Sequence, residues 1–244
     1  MSLLEHMIIP DWPAHANVKS LQTTRIGGIS SAPYESLNLG DHVGDNPLSV
    51  AHNRMLLSTL MPSEPVWMEQ MHGTVVANAD QASCLPRADA CIARHRSTVC
   101  VVMTADCLPV MLCDRHGSVV AVVHAGWKGL AAGVIEAAVQ EMEVAPQDLM
   151  AWLGPAIAQD SFEVGEEVRT AFVTLQPRSA QAFIPGLKGK WFADIYALAR
   201  LRLDALGVTS IYGGGYCTYK ERERFYSYRR DGVTGRMGTF IWLE

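Results

Sequence analysis

No stretch of this chain holds the roughly 20 successive apolar residues that a helix needs to cross a bilayer, which excludes a helical membrane span. Positive charge is also scarce. Twenty Lys and Arg against 25 Asp and Glu leave a net charge of −5, and the cations are scattered rather than striped. A chain with so little basic surface is not expected to bind nucleic acid, whose phosphates must be neutralised along a continuous track. The first residues, MSLLEHMIIPDWP, carry no basic region, and Glu5, His6 and Pro10 interrupt their apolar run. A secretion signal is therefore not expected there. Repeats of fixed period, low-complexity tracts and linker-like stretches are lacking as well, so residues 1–244 are read as a single α/β domain.

What is present is a soluble globular composition, 49% hydrophobic and 18% charged, with enough apolar surface for a large core. The six cysteines are Cys84, Cys91, Cys100, Cys107, Cys113 and Cys217. In a chain of this length without an export signal they read as reduced thiols, and the expected compartment is the cytoplasm. Cys100 and Cys113 lie among Val, Met and Leu, as small buried hydrophobes do. Cys107 follows Asp106, an awkward neighbour for a purely apolar core.

Residues 17–24, NVKSLQTT, are too polar for a firm strand, and RIGGISSAPY after them is a loop by turn chemistry. Asn46 and Pro47 form an N-cap and first position for a helix that Pro62 and Pro65 close. VWMEQMHGTVVAN reads as strand on either side of Gly73. Next come three apolar runs, 98–104, 108–113 and 118–123, separated by ADC and DRHG. Residues 130–144 carry a helical apolar face, and LMAWLG, FEVGEEVRTAFVTL, DIYALARLRLDALG and VTSIYGGG continue the alternation of strand and helix. The final RFYSYRRDGVTGRMGTFIWL is expected to form a hairpin with a long loop.

If 108–113 and 118–123 pair across DRHG, Cys107 and His124 emerge side by side at one sheet edge. That juxtaposition suits either a thiolate with its base or two ligands of a zinc ion. A core thiol beside an ordinary turn histidine is the bland alternative. Gly126 and Gly129 open a helix whose first N–H groups are available to an anion. His72 sits at another strand-to-glycine junction and is the candidate for a third ligand, the alternative being an ordinary turn residue. Two His and one Cys, with a fourth position left to water, describe a catalytic rather than a structural zinc site. The other six histidines, His6, His15, His42, His52, His95 and His116, have no comparable context.

EQMHG, TADCLPV, HAGWKGL, LGPAI, FEVG and SYRRD, in this order, with TTRIGGIS and YESLNLG before them, closely resemble the YfiH-like or laccase-domain (polyphenol oxidase) family over nearly the whole chain. The resemblance implies an α/β sandwich with mixed sheets, related to the cytotoxic necrotizing factor deamidases. It implies cytosolic zinc enzymes that phosphorolyse adenosine, inosine, guanosine and methylthioadenosine and deaminate adenosine. It also carries the zinc ligands onto His72, Cys107 and His124, and it includes a link to editing of peptidoglycan precursors.

The laccase label fits poorly, because eight histidines include no His-x-His pair from which several copper centres could be built. Copper(II) is nonetheless expected to displace zinc in vitro, being higher in affinity order. For deamination, zinc lowers the pKa of its water to roughly 7, and hydroxide attacks C6 while a carboxylate moves protons. Asp106 is the first candidate for that carboxylate and Glu69 the second. Phosphorolysis requires phosphate as co-substrate to the purine nucleoside. Arg25, Lys128 and Arg229, with the helix start after Gly126, are the expected contacts. Two further readings stay open: a Cys107–His124 hydrolase or amidase with the metal incidental, and a non-catalytic zinc-stabilised binding protein.

Overall fold

A computed structural model describes residues 3–82 and 85–244 of the chain, so Cys84 lies outside the described residues. Strand β1 is Val18–Gln22, and helix α1, Pro47–Ser58, starts where Asn46 accepts the Leu48 N–H at 2.9 Å. Strands β2 (Val76–Asn78), β3 (Ala90–Ala93), β4 (Cys100–Thr104), β5 (Leu108–Asp114) and β6 (Val120–Ala125) follow. Helices α2 (Trp127–Ala132) and α3 (Val134–Glu141) precede β7 (Leu149–Leu153) and β8 (Glu163–Val164). The chain then forms α4 (Glu166–Val173), β9 (Phe183–Pro185), β10 (Trp191–Ala193) and α5 (Ile195–Leu206). It ends with β11 (Ser210–Gly213), α6 (Tyr228–Asp231) and β12 (Met237–Leu243).

Six strands form a mixed sheet in the order β11-β7-β5-β6-β3-β2, with parallel pairs only at its two ends. An antiparallel sheet β1-β12-β4 packs on one of its faces, and a small third sheet holds β8-β10-β9. Period-two alternation sorts the side chains into layers. Leu108, Val110, Leu112, Ala121 and Val123 join the core against helices α3, α4 and α5. Met111, Cys113, Val120 and Val122 face the other way, against Cys100, Val102, Met237 and Ile241 of the smaller sheet. Val99, Val101, Met103 and Phe240 then turn outward to a third cluster closed by Leu57 of α1. The architecture is a single-domain α/β sandwich with mixed sheets.

Several sequence expectations change here. The polar segment 17–24 does contain a strand, because the ladder to β12 satisfies its backbone and Gln22 accepts the Thr239 hydroxyl at 2.5 Å in the core. The helix expected from Leu130 begins at Trp127 and is divided by Gly133, whose φ of 100° is open to glycine at little cost. The carboxyl-terminal segment forms no hairpin: β12 pairs with β1 on one side and β4 on the other. The expected strand in residues 66–71 is replaced by isolated bridges, Val66 with Cys100 and Glu69 with Arg87. Gln70 substitutes for a strand there, its amide donating to the Met103 carbonyl at 2.8 Å and accepting the Met103 N–H at 2.7 Å. Strands β3, β9 and β10 are too short to show a period in the sequence.

Candidate metal centre

The hairpin of β5 and β6 forms as expected, but its register is shifted by two residues from the one that would set Cys107 opposite His124. Leu108 faces Ala125, Pro109 faces His124, and His124 belongs to β6 itself, because the turn between the paired Cys113 and Val120 is longer than DRHG. Cys107 therefore sits one step beyond the ladder, next to His124 and across from Gly126. Alternation places His124 on the face of Val120 and Val122, between the two sheets, where it is only 3% exposed. His72 arrives from the loop after Gln70. The Cys107 Sγ and His72 Nε2 are 3.8 Å apart, and the rings of His72 and His124 meet edge-on with centroids 4.7 Å apart. One ligand atom from each of the three residues falls within 4.8 Å of the others. Tetrahedral sharing of one zinc ion would place S and N roughly 3.6 Å apart, so this donor set fits with little adjustment.

Asp89, just ahead of β3, ties His72 and His124 together. Its Oδ1 accepts His124 Nδ1–H at 2.8 Å and the His72 N–H at 2.9 Å, while Oδ2 accepts the N–H groups of Met71 and Gly73. Occupying Nδ1 in this way leaves His124 Nε2 as the ligand atom. The same carboxylate holds the His72 backbone at φ 58°, a left-handed conformation that costs a non-glycine residue about 1–2 kcal/mol. Asp106 is left-handed too, at φ 87°. Its Oδ1 accepts the Thr218 hydroxyl at 2.6 Å and its Oδ2 the Arg229 N–H at 2.7 Å. Both oxygens are thus engaged in fixing the turn that presents Cys107.

Desolvation alone would raise the Cys107 thiol, but the charge and hydrogen bond of His124 and the hydrogen bond of His72 outweigh it, taking its pKa down to about 6. Burial likewise opposes the charge of His124, and Cys107 and Asp89 overcome it, lifting the imidazole to about 9. For Asp89, burial favours the neutral acid, yet the hydrogen bonds from His124, Gly73 and His72 hold its carboxyl below the usual value.

His72, Cys107 and His124 border a cavity of about 590 Å³ that is also lined by Trp67, Met68, Glu69, Met71, Leu85, Met103 and Thr104, with Asp41, His42, Arg54, Tyr228 and Arg236. Its size is that of a small-molecule site. Glu69 is on its wall, paired with Arg87 at 3.2 Å, whereas Asp106 is not among its lining residues. The three expected cations lie elsewhere. Arg25 donates to the carbonyls of Glu35 and Arg222 in a separate cleft of about 740 Å³. Arg229 donates to the Glu163 carbonyl, and Lys128 is exposed with its Nζ near the Trp127 ring. Their places in the cavity are taken by Arg54 and Arg236, which the motifs around Cys107 and His124 gave no reason to choose. Asp89 was overlooked as well, although an acid immediately before the apolar run ACIA is a readable signal. Gly126 also has a different use from the anion contact expected of its helix. A Cβ there would lie 2.7 Å from His72 Cδ2 and 3.0 Å from Cys107 Sγ.

The family described as multi-copper polyphenol oxidoreductase laccase matches residues 19–244, and YfiH of Escherichia coli K12 is 51% identical over 243 residues. The chain belongs to this laccase-domain, YfiH-like family. That alignment spans 98% of this chain and 100% of the relative, which is named a purine nucleoside phosphorylase. A purine nucleoside phosphorylase of Pseudomonas aeruginosa is 50% identical over 238 residues, 97% of this chain and 98% of that one. Among solved structures, a Neisseria meningitidis protein superposes with a TM-score of 0.95 at 51% identity, covering 98% and 99% of the two chains. YlmD from Geobacillus stearothermophilus does so at 0.88 and 31% identity, covering 95% and 94%. The laccase-domain fold is therefore shared end to end with its neighbours.

Proposed function

We propose that the chain is a zinc-dependent purine nucleoside phosphorylase that also deaminates adenosine. The observation that carries this reading is the convergence of His72, Cys107 and His124 on the wall of a nucleoside-sized cavity. The names of the E. coli and P. aeruginosa relatives support the substrate class. Zinc suits one thiolate and two imidazoles with a fourth position open, and when bound it supplies Lewis acidity and a water acidified to a pKa of about 7.

The chain's own residues do the rest. Asp89 fixes the His124 tautomer, and the Cys107–His124 charge pair keeps the sulfur in its thiolate form. Met68, Met71, Leu85 and the exposed Tyr228 ring offer apolar surface to a purine. In phosphorolysis an oxygen of phosphate bonds to the ribose C1′ while the C1′–N9 electron pair leaves with the base, which takes up a proton. Of the two carboxylates on the cavity wall, Asp41 is paired with Arg54, and Glu69 is assigned that proton traffic, for N9 and for the amine leaving adenosine C6. Adenosine, inosine, guanosine and methylthioadenosine are the proposed nucleosides. The unpaired thiols among the described residues support a reducing, cytoplasmic setting. Several coppers are not supported by this chain, since the single three-residue ligand group among the described residues could hold one ion.

A second reading is favoured by one arrangement: Cys107, His124 and Asp89 form the thiol, imidazole and carboxylate series of a nucleophilic hydrolase, the chemistry that a kinship to the necrotizing factor deamidases would carry. Its substrate would be an amide in a cell-wall precursor. To separate the two, the metal content of protein purified without added metal is measured, and adenosine is supplied with and without phosphate. The phosphorylase gives adenine and ribose 1-phosphate only with phosphate, inosine reports deamination, and a chelator abolishes both. Amidase activity that survives chelation but not Cys107→Ser would replace this reading with the second.

A further inference from the structure

Arg54 and Arg236 reach the cavity from segments far apart in the chain, α1 and the approach to β12. Arg54 has its guanidinium flat on the Trp67 ring, 3.9 Å from the centroid, and its Nε and one Nη both donate to the Leu39 carbonyl, at 3.0 and 2.8 Å. That Nη also lies 3.4 Å from Asp41, and the other Nη donates to no acceptor among the described residues. Arg236 donates from one Nη to the carbonyls of Thr234 and Gly235, both at 3.0 Å. Its Nε and second Nη have no protein acceptor, and no carboxylate lies within ion-pair distance of it among the described residues. Thr104, at the end of β4 opposite Met237, also borders the cavity. It is 1% exposed, and its Oγ1 is buried with no hydrogen-bond partner.

A half-buried guanidinium that feels Cys107 and Asp106 but touches no carboxylate, a second one held by stacking and an unpartnered hydroxyl constitute an incompletely satisfied anion site. Burial of unpaired charge and of an unmade hydrogen bond is unfavourable, and an oxyanion relieves both at once. Guanidinium groups are suited to this because their donors match the oxygens of phosphate. Resting on the phosphorylase reading, we propose that Arg236, Arg54 and the Thr104 hydroxyl bind the inorganic phosphate co-substrate beside His72, Cys107 and His124. Held there, the phosphate keeps all its P–O bonds. One oxygen forms the bond to C1′ as the C1′–N9 pair departs with the purine.

Phosphate binding is measured directly, by calorimetry and by the fluorescence of Trp67, on metal-loaded and metal-free protein, so that turnover is not needed. Arg236→Gln, Arg54→Lys and Thr104→Val are compared with Lys128→Ala, which lies outside the cavity. Arg236→Gln is expected to weaken inorganic phosphate about ten- to a hundredfold. The KM for phosphate should rise in parallel, with the KM for inosine within about twofold. Arg54→Lys, which loses planar stacking, should also remove the fluorescence response to phosphate. Unchanged phosphate affinity in both arginine variants, with wild-type melting behaviour, would overturn the assignment. So would loss of adenosine 5′-phosphate binding with inorganic phosphate unaffected, which would make these groups a nucleotide site. If no ribose 1-phosphate forms with any nucleoside, the phosphorylase reading fails, and the direct titration still decides whether the anion site exists.

Discussion

His124 and Asp89 form a buried pair, Nδ1 to Oδ1 at 2.8 Å, with side chains 4% and 1% exposed. All four groups that meet this carboxylate are donors: the imidazole and the N–H groups of Met71, His72 and Gly73. One acid thereby sets the ring of one ligand and the backbone of another. Asp89→Asn would direct an NH2 at some of those donors. It is expected to lower metal affinity about ten- to a hundredfold. It should also destabilise the fold by about 3–5 kcal/mol, the range for breaking a buried charged pair. Competitive zinc titration and thermal melting check the two effects; retention of both wild-type values would show that Asp89 does not organise the centre.

The thiolate of Cys107 depends on the imidazolium of His124. In metal-free protein, alkylation of Cys107 by iodoacetamide should rise with pH through a midpoint near 6, below the ordinary thiol value of 9.0, because the thiolate is the reacting form. His124→Asn removes the largest stabilising charge while desolvation and the weaker contribution of His72 remain, so the midpoint should move up. Between about pH 6.5 and 8.5 the wild-type pair holds one proton, on His124, which zinc must displace. Calorimetry in buffers of different ionisation enthalpy should register its release. A midpoint near 9 in the wild type would contradict the pairing.

Gly126 has φ −62° and ψ 155°, a conformation open to alanine, so its requirement for glycine is purely steric. Gly126→Ala puts a methyl group 2.7 Å from the His72 ring and 3.0 Å from Cys107 Sγ, and the ligands must separate. The expected result is a folded protein with zinc affinity at least about tenfold weaker. Wild-type affinity in a folded Gly126→Ala protein would mean that the ligand triangle is looser than its geometry indicates.

Asp106 and Glu69 should behave as different kinds of carboxylate. Asp106→Asn can still accept from Thr218 or Arg229 but not equally from both, and it should cost about 1–3 kcal/mol of stability. Glu69 makes only a surface pair with Arg87, worth at most about 1 kcal/mol. Glu69→Gln should therefore melt like the wild type while kcat falls about a hundredfold or more. Equal kcat in Glu69→Gln would remove it from the proton-transfer role.

Local chemistry in the chain is enough for the Asn46 cap and the β5–β6 hairpin, because each depends on residues near one another in sequence, whereas the hairpin's register, two residues from the expected one, is set by the longer turn. The pairing that brings Cys107 beside His124 is of this kind. His72 was legible only as a residue at a strand-to-glycine junction, and its distance from the pair comes from the loop that Asp89 gathers. Strand β1 defeated a reading by polarity because its stability comes from β12, more than 200 positions away, and from the buried Gln22–Thr239 contact.

The cations mark the sharpest division. Arg25, Lys128 and Arg229 lie in or near motifs, and sequence proximity made them attractive. Their side chains end on backbone carbonyls or at the surface. Arg54 and Arg236 have no distinguishing neighbours in the sequence, and they come to the cavity because α1 packs on the sheet whose central strand is β12. The amino-acid order by itself determined which residues had metal-binding chemistry and how two of them would meet. Tertiary packing decided the position of His72, the carboxylate behind it and the charges around the cavity, because those are set by contacts between segments that local propensity does not connect.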